Sequence, residues 1–166
     1  PGLTATQMLE ANLDVLIICH TDPVYHLPNR HKTEELFKKI PMVVEINAYN
    51  NSETSNFAHI KLPASPWGEK EGTQTNLDRT ITKQNKLTRT SIDCKPDWEI
   101  FQLIAQKLGF KKEFNFKSSQ EIFEEYQKMT KLNDYMDIDE ANYETLSSKP
   151  FIWGENIKNF LIFVQN

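Results

Sequence analysis

The chain has 166 residues, 39% of them hydrophobic and 25% charged, with a net charge of −4. At this length roughly 68–70% of the unfolded surface can be buried, so one ordinary globular domain is expected. The lysines are scattered beside glutamates, which argues against a nucleic-acid footprint but leaves a phosphate-bearing small ligand open. Cys19 and Cys94 lie far apart without a C-x-x-C partner, so neither a disulfide framework nor a zinc site is indicated, and a reducing compartment fits. The longest apolar runs, Leu13–Cys19 and Phe160–Val164, are far short of the ~20 residues of a membrane helix. The sequence opens at Pro1 without a charged leader, and no signal peptide is expected, although a cut fragment would have lost one.

Leu13–Cys19 is almost continuously apolar and ends at the polar His20-Thr21-Asp22-Pro23, the pattern of a parallel strand covered on both faces. From about Asn29 to Lys39 a helix is expected, with Leu36, Phe37 and Ile40 on one face, and Pro41 stops it ahead of the strand Met42-Val-Val-Glu-Ile46. A right-handed crossover in this β-α-β unit brings Thr21–Asp22 and Glu45–Asn47 to the same sheet edge. Asn50–Thr54 reads as a turn and His59–Pro63 as a third short strand. Leu62–Arg79 follows as a dense loop, the kind that approaches a ligand, and Thr80–Arg89 as an extended, solvent-facing excursion.

In the second half, Trp98, Phe101, Ile104 and Leu108 have helical spacing, with Pro96 suited to the first turn and Gly109 to the exit. Ser118-Ser-Gln-Glu121 is a capping-box pattern ahead of Ile122, Phe123, Tyr126 and Met129. Asp139 is expected to cap a third short helix carrying Tyr143 and Leu146, ended by Pro150. No repeat or low-complexity stretch is present.

The polar residues gathered at one sheet edge are Thr21, Asp22 and Glu45, with Lys70 in the later loop, and open α/β sheets bind ligands at such edges. Every β-α-β unit also has polar strand ends, so the residues alone leave a purely structural role open. His20, His26, His31 and His59 have no ligand spacing and read as loop or surface residues, and Cys19 as buried packing. No P-loop, G-x-G-x-x-G or Ser-His-Asp pattern supports ATP use, NAD binding or nucleophilic hydrolysis.

The segment Leu62-Pro-Ala-Ser-Pro-Trp67-Gly-Glu-Lys70-Glu-Gly72-Thr-Gln-Thr-Asn76-Leu-Asp-Arg79 resembles the LPAA-x-W-x-EK-x-G-T-x-T-N-x-x-R-R segment of molybdopterin oxidoreductases. The likeness is strongest to the large subunits of bacterial assimilatory nitrate reductases, and it implies a fragment of such an enzyme. It extends over nearly the whole chain. Pro1-Gly-Leu-Thr-Ala5 with Met8, Leu9 and Ala11 is similar to the start of the family's domain, and Phe114–Tyr126, Met136–Ile138, Tyr143 with Leu146, and Trp153 are similar to a nitrate-reductase tail.

The resemblance implies an α/β, Rossmann-like fold with a mostly parallel sheet flanked by helices and a helical C-terminal part. Residues 1–113 would form a dinucleotide-binding domain and residues 114–166 a helical extension packed on it. It implies cofactor contacts at Thr21, Asp22, Glu45, Ile46, Lys70 and Asp97, the group bound being a molybdopterin guanine dinucleotide. Asp22 stands where the family's T-N-P tripeptide has asparagine, which turns a mixed donor and acceptor into an acceptor only. Lys70 would offer a point charge to phosphate or pterin oxygens, or is a solvated surface lysine. Asp97, in Cys94-Lys-Pro-Asp97-Trp98, matches the aspartate of the family's A-R-P-D-W segment. There it would accept from the N1–H and N2–H₂ edge of guanine, and in a helix's first turn it is also favoured by the dipole.

The family's iron–sulfur cysteine cluster and molybdenum ligand have no counterpart here, so molybdenum and a 4Fe-4S cluster would belong to the parent enzyme, and the isolated chain is expected to be inactive. His59 in place of aspartate, a shortened stretch before Asp14 and the tail Ile157–Asn166 depart from the pattern. The expected setting is cytoplasmic. The expected partners are the remaining domains of the enzyme and an electron-donor subunit or protein, with no nucleic acid and no membrane. The implied reaction is nitrate to nitrite; a formate dehydrogenase of the same family and a non-catalytic binding module are the alternatives.

Overall fold

A computed structural model describes residues 2–132 and 137–154. Met136, Phe160–Val164 and the tail Ile157–Asn166, singled out in the sequence, lie outside the described residues. The described elements are α1 (Ala5–Glu10), β1 (Val15–Cys19), α2 (Pro23–His26), α3 (Arg30–Phe37), β2 (Met42–Asn47), β3 (Ile60–Pro63), β4 (Gly72–Thr75), β5 (Thr80–Gln84), α4 (Asp97–Lys107), α5 (Ser119–Thr130), α6 (Tyr143–Ser148) and β6 (Phe151–Ile152). Short 3-10 turns cover Thr54–Asn56 and Trp67–Glu69. No helix among the described residues is long and apolar enough to cross a membrane.

Two compact units divide the chain: the part up to Pro66 with Thr90–Leu103, and Trp67–Arg89 with the part from Ile104 onward. The first is built on a parallel sheet of order β1-β2-β3. β-Branched and aliphatic residues fill β2, and its centre from Val43 to Ile46 is wholly buried. Asn29 starts α3 from a left-handed conformation (φ 57°), its side chain accepting from the Lys32 N–H. Phe37 then packs with Leu9, Ile18, Val24, Ile40 and Val43. Each such side chain contributes about 1.5–3 kcal/mol on burial.

The expectation for β1 needs correction. Val15 and Ile17 are 48% and 40% exposed, because β1 forms an edge of its sheet with one face left open among the described residues. Its parallel pairing with β2 is as expected, and the expected third short strand is present as Ile60–Pro63, also parallel to β2.

The second unit carries the antiparallel sheet β4-β5-β6. Its core joins Ile81 to Phe123, Ile138, Ala141, Tyr143 and Leu146. The expected solvent-facing excursion is therefore wrong in its first half, since Thr80–Gln84 is the middle strand of this sheet and Ile81 is buried. Asn76–Arg79 makes the hairpin loop, with Arg79 at φ 68° and the Asp78 carboxylate accepting from the Thr80 N–H. α4 ends before Gly109, whose φ of 103° suits glycine. Ser118 caps α5 as expected, whereas Asn142, not Asp139, caps α6, accepting from the Thr145 N–H.

Candidate functional site

Parallel pairing sends the carboxyl ends of β1, β2 and β3 to one edge of the first sheet. The segment before α4 joins them there: Lys95 bridges to Ala64, its N–H donating to the Pro63 carbonyl and its carbonyl accepting from the Ser65 N–H (2.8 Å). His20–Asp22, Asn47–Asn50, Ala64–Ser65 and Lys95–Asp97 therefore share one rim.

Thr21 is exposed in the turn before α2. Asp22 precedes α2, yet its carboxylate makes no cap bond to that helix. It reaches instead to the turn after β2, where Oδ2 accepts from the Glu53 N–H (2.9 Å) and Oδ1 from the Thr54 N–H (3.0 Å) and hydroxyl (2.6 Å). Burial pushes this carboxyl up, but the Thr54 hydroxyl and the backbone N–H groups of Glu53, Thr54 and Tyr25 outweigh burial and hold it below its ordinary value.

Glu45 and Ile46 lie inside β2 rather than after it, because the strand runs on to Asn47. Ile46 is fully buried, and its carbonyl accepts from the His20 N–H. Glu45, 2% exposed, accepts from the hydroxyls of Ser52 (2.6 Å) and Ser55 (2.5 Å) and from Asn47 Nδ2 (3.2 Å). Asp22 and Glu45 thus converge on the same four-residue segment, 52–55, from two strand ends. Both acids build the rim.

Beside Glu45 a cleft of about 320 Å³ opens, lined also by Asn47, Tyr49, Asn50 and Lys61. Lys61 Nζ donates to Asn50 Oδ1 (3.1 Å). The sequence places Asn47 at this edge only as the end of the second strand, and it does not single out Lys61. The parallel register Glu45↔Lys61 places the lysine beside the buried acid, a pairing visible only once the strands are aligned. Ser65, two residues beyond β3, is wholly buried, and its hydroxyl has no hydrogen-bond partner among the described residues.

Asp97 opens α4 and is paired through Oδ1 with His20 Nε2; the two side chains are 26% and 31% exposed. Cys19 joins them, one ligand atom of each residue lying within 4.8 Å of the others. His20 thus does more than fill a loop, and what conceals it in the sequence is the 77-residue separation from its partner. Lys70 lies in the second unit, half-exposed, its carbonyl accepting from Gln84 Nε2 (3.2 Å), as does that of Trp67 (2.7 Å).

A family model described as molybdopterin oxidoreductase matches residues 1–107. A nitrate reductase of Synechocystis sp. is 34% identical over 134 residues, covering 78% of this chain and 19% of that protein. The F420-dependent formate dehydrogenase 1 subunit alpha of Methanococcus maripaludis is 30% identical over 132 residues, with the same coverage of each. The chain spans about a fifth of the length of these relatives. Among solved structures, acetylene hydratase from Pelobacter acetylenicus superposes with a TM-score of 0.66 at 14% identity, covering 84% of this chain and 18% of that one, a likeness of fold.

Proposed function

We propose a function from one premise: this chain belongs to the molybdopterin oxidoreductase family. Within it, the first unit holds the nucleotide end of a molybdopterin guanine dinucleotide at the carboxyl rim of β1-β2-β3. The observation that carries this reading is the cleft beside Glu45, at the position where open α/β sheets take ligands. Its volume is in the lower range of ligand pockets, a fit for a nucleoside portion rather than a whole dinucleotide.

The residues present suit that group. Lys61 offers a point charge to a phosphate, and the Asn47 and Asn50 side chains offer amide donors and acceptors. Asp97 accepts from the N1–H and N2–H₂ edge of guanine, and Thr21 and Lys70 remain contacts by resemblance. When bound, the cofactor supplies two-electron redox chemistry, and the chain binds and orients it.

In the parent enzyme we assign the reduction of nitrate to nitrite and water by two electrons and two protons, with the remaining domains and an electron donor as partners. The 34% identity to a nitrate reductase and the tail from Phe114 support that assignment. A formate dehydrogenase is the second reading, supported by a relative of that name matching the same share of the chain at 30%.

Calorimetric titration of the 166-residue chain with GDP and with ADP tests the binding role. A bidentate carboxylate contact discriminates bases by about 1–3 kcal/mol, roughly 5- to 150-fold. The expected result is saturable heat with GDP, weaker binding of ADP, and loss of that selectivity in Asp97→Asn. Equal affinity for both nucleotides, or heat from neither, overturns the proposal.

A further inference from the structure

We propose that Cys19, His20 and Asp97 form a divalent zinc site with three protein ligands and one open position. The inference does not rest on the nucleotide reading, but it uses the same Asp97 carboxylate, so zinc and guanine would compete for it. One ligand atom from each residue lies within 4.8 Å of the other two. The edges of a tetrahedron with zinc–ligand bonds of 2.0–2.3 Å are roughly 3.3–3.7 Å long, so no pair has to close by more than about 1 Å, while the hydrogen-bonded His20–Asp97 pair has to open.

All three are tied to the hydrogen-bond ladder of the sheet. Cys19 is the last residue of β1, in register with Ile46 of the central strand, and His20 extends the ladder by donating to the Ile46 carbonyl (3.0 Å). Asp97 is fixed in the first turn of α4 by the Lys95 bridge to Ala64. Consecutive residues of a strand point to opposite faces, so Cys19 and His20 would diverge if the strand continued. The left-handed conformation of His20 (φ 49°) breaks that alternation. For a residue with a Cβ this geometry costs about 1–2 kcal/mol, and here it goes with the convergence of both side chains on Asp97.

The donor set decides the ion. One thiolate, one imidazole and one carboxylate suit a borderline-soft cation, and zinc with three protein ligands keeps a fourth position for water or a ligand atom. Zn²⁺ enters between His20 Nε2 and Asp97 Oδ1 in place of the proton they share. The Cys19 thiol gives up its proton to solvent as the Zn–S bond forms, and no electron is transferred. Binding therefore releases protons and weakens as pH falls.

The test is anaerobic titration of the reduced 166-residue chain with Co²⁺ as a spectroscopic substitute, followed by displacement with Zn²⁺. One equivalent is expected to produce a near-ultraviolet thiolate-to-cobalt band with visible d–d absorption, lost on adding Zn²⁺. Cys19→Ser is expected to abolish the thiolate band, and Cys94→Ser to retain it. Asp97→Asn and His20→Ala are expected to weaken binding by at least the 10–100-fold that loss of an outer-sphere partner costs. In the unaltered protein Zn²⁺ is expected to protect Cys19, and not Cys94, from alkylation, a readout that needs no variant to fold. Absence of the thiolate band, or a band that survives Cys19→Ser and disappears in Cys94→Ser, overturns the site. Because no nucleotide is present, failure of the metal site leaves the guanine reading standing, whereas a formed site puts Zn²⁺ and guanine in competition for Asp97.

Discussion

Replacing Asp22 with asparagine restores the residue of the resembled T-N-P tripeptide, and here it is expected to destabilise the chain. The carboxylate uses both oxygens, Oδ1 accepting from the Thr54 N–H and hydroxyl and Oδ2 from the Glu53 N–H. Asparagine has one oxygen. Turned to keep the two Thr54 bonds, it points its NH₂ group at the Glu53 N–H, and that donor loses its partner. A buried unsatisfied donor costs about 1–3 kcal/mol, and the half-exposed Glu53 places the loss in the lower part of that range, about 1–2 kcal/mol. For a chain of this size that lowers Tm by roughly 2–8 °C.

Urea denaturation followed by circular dichroism measures the difference, and amide exchange at Glu53 and Thr54 locates it. The pH dependence has a fixed sign. A carboxyl held below 3.8 stabilises the fold above that value and loses the contribution as pH falls through its lower folded value. The gap between the parent chain and Asp22→Asn should therefore be constant above pH 3.8 and narrow only below it. An unchanged midpoint with unchanged exchange at both amides would refute the assignment of Asp22 to the turn.

Ile81→Ala empties a site that is 4% exposed at the centre of the second unit's core, with an expected loss of about 2–5 kcal/mol by urea denaturation; a loss under about 1 kcal/mol would return Thr80–Gln84 to the solvent-facing role read from the sequence. Burial pushes the Tyr143 phenol up, against the hydrogen bond it donates to Ser119 Oγ (3.1 Å) and with help from the Glu71 charge. It stabilises the fold below its ordinary value of 10.0 and loses that contribution as pH rises through the higher folded value. In an ultraviolet titration, Tyr143→Phe should remove a late-titrating phenol, and loss of an early one would contradict the burial.

Local signals carried most of the first unit. The apolar runs at Leu13–Cys19 and Met42–Ile46 and the charged front of α3 are patterns that a parallel unit writes into consecutive residues. The same holds for Ser118 at α5, whose cap is a short-range hydrogen bond. What was missed depends on pairing across distance. Ile81 is buried because Phe123, Ile138, Tyr143 and Leu146, distant in sequence, pack on its face of β5, and Thr-Ile-Thr-Lys-Gln alone reads equally as exposed strand or extended loop. The carboxyl rim was legible as a place but not as a division of labour: nothing local marks Ser52–Ser55 as the segment that both Asp22 and Glu45 hold, or Lys61 as the cation beside Glu45.

That division bears on how an acidic chain can present an anion site. Asp22, Glu45 and Asp97 put three carboxylates on one rim, a field that would repel a diphosphate if they faced it unpaired. Two are turned inward. Asp22 is saturated by the donors of residues 53 and 54, and Glu45 by Ser52, Ser55 and Asn47, so hydrogen bonds compensate both charges before a ligand arrives. Asp97 is paired with His20, which leaves Lys61 as the cation lining the cleft. On this arrangement Asp22 in place of asparagine removes a donor from the rim without leaving a bare charge there, and the proposed nucleotide site predicts a phosphate affinity that falls more in Lys61→Ala than in Asp22→Asn.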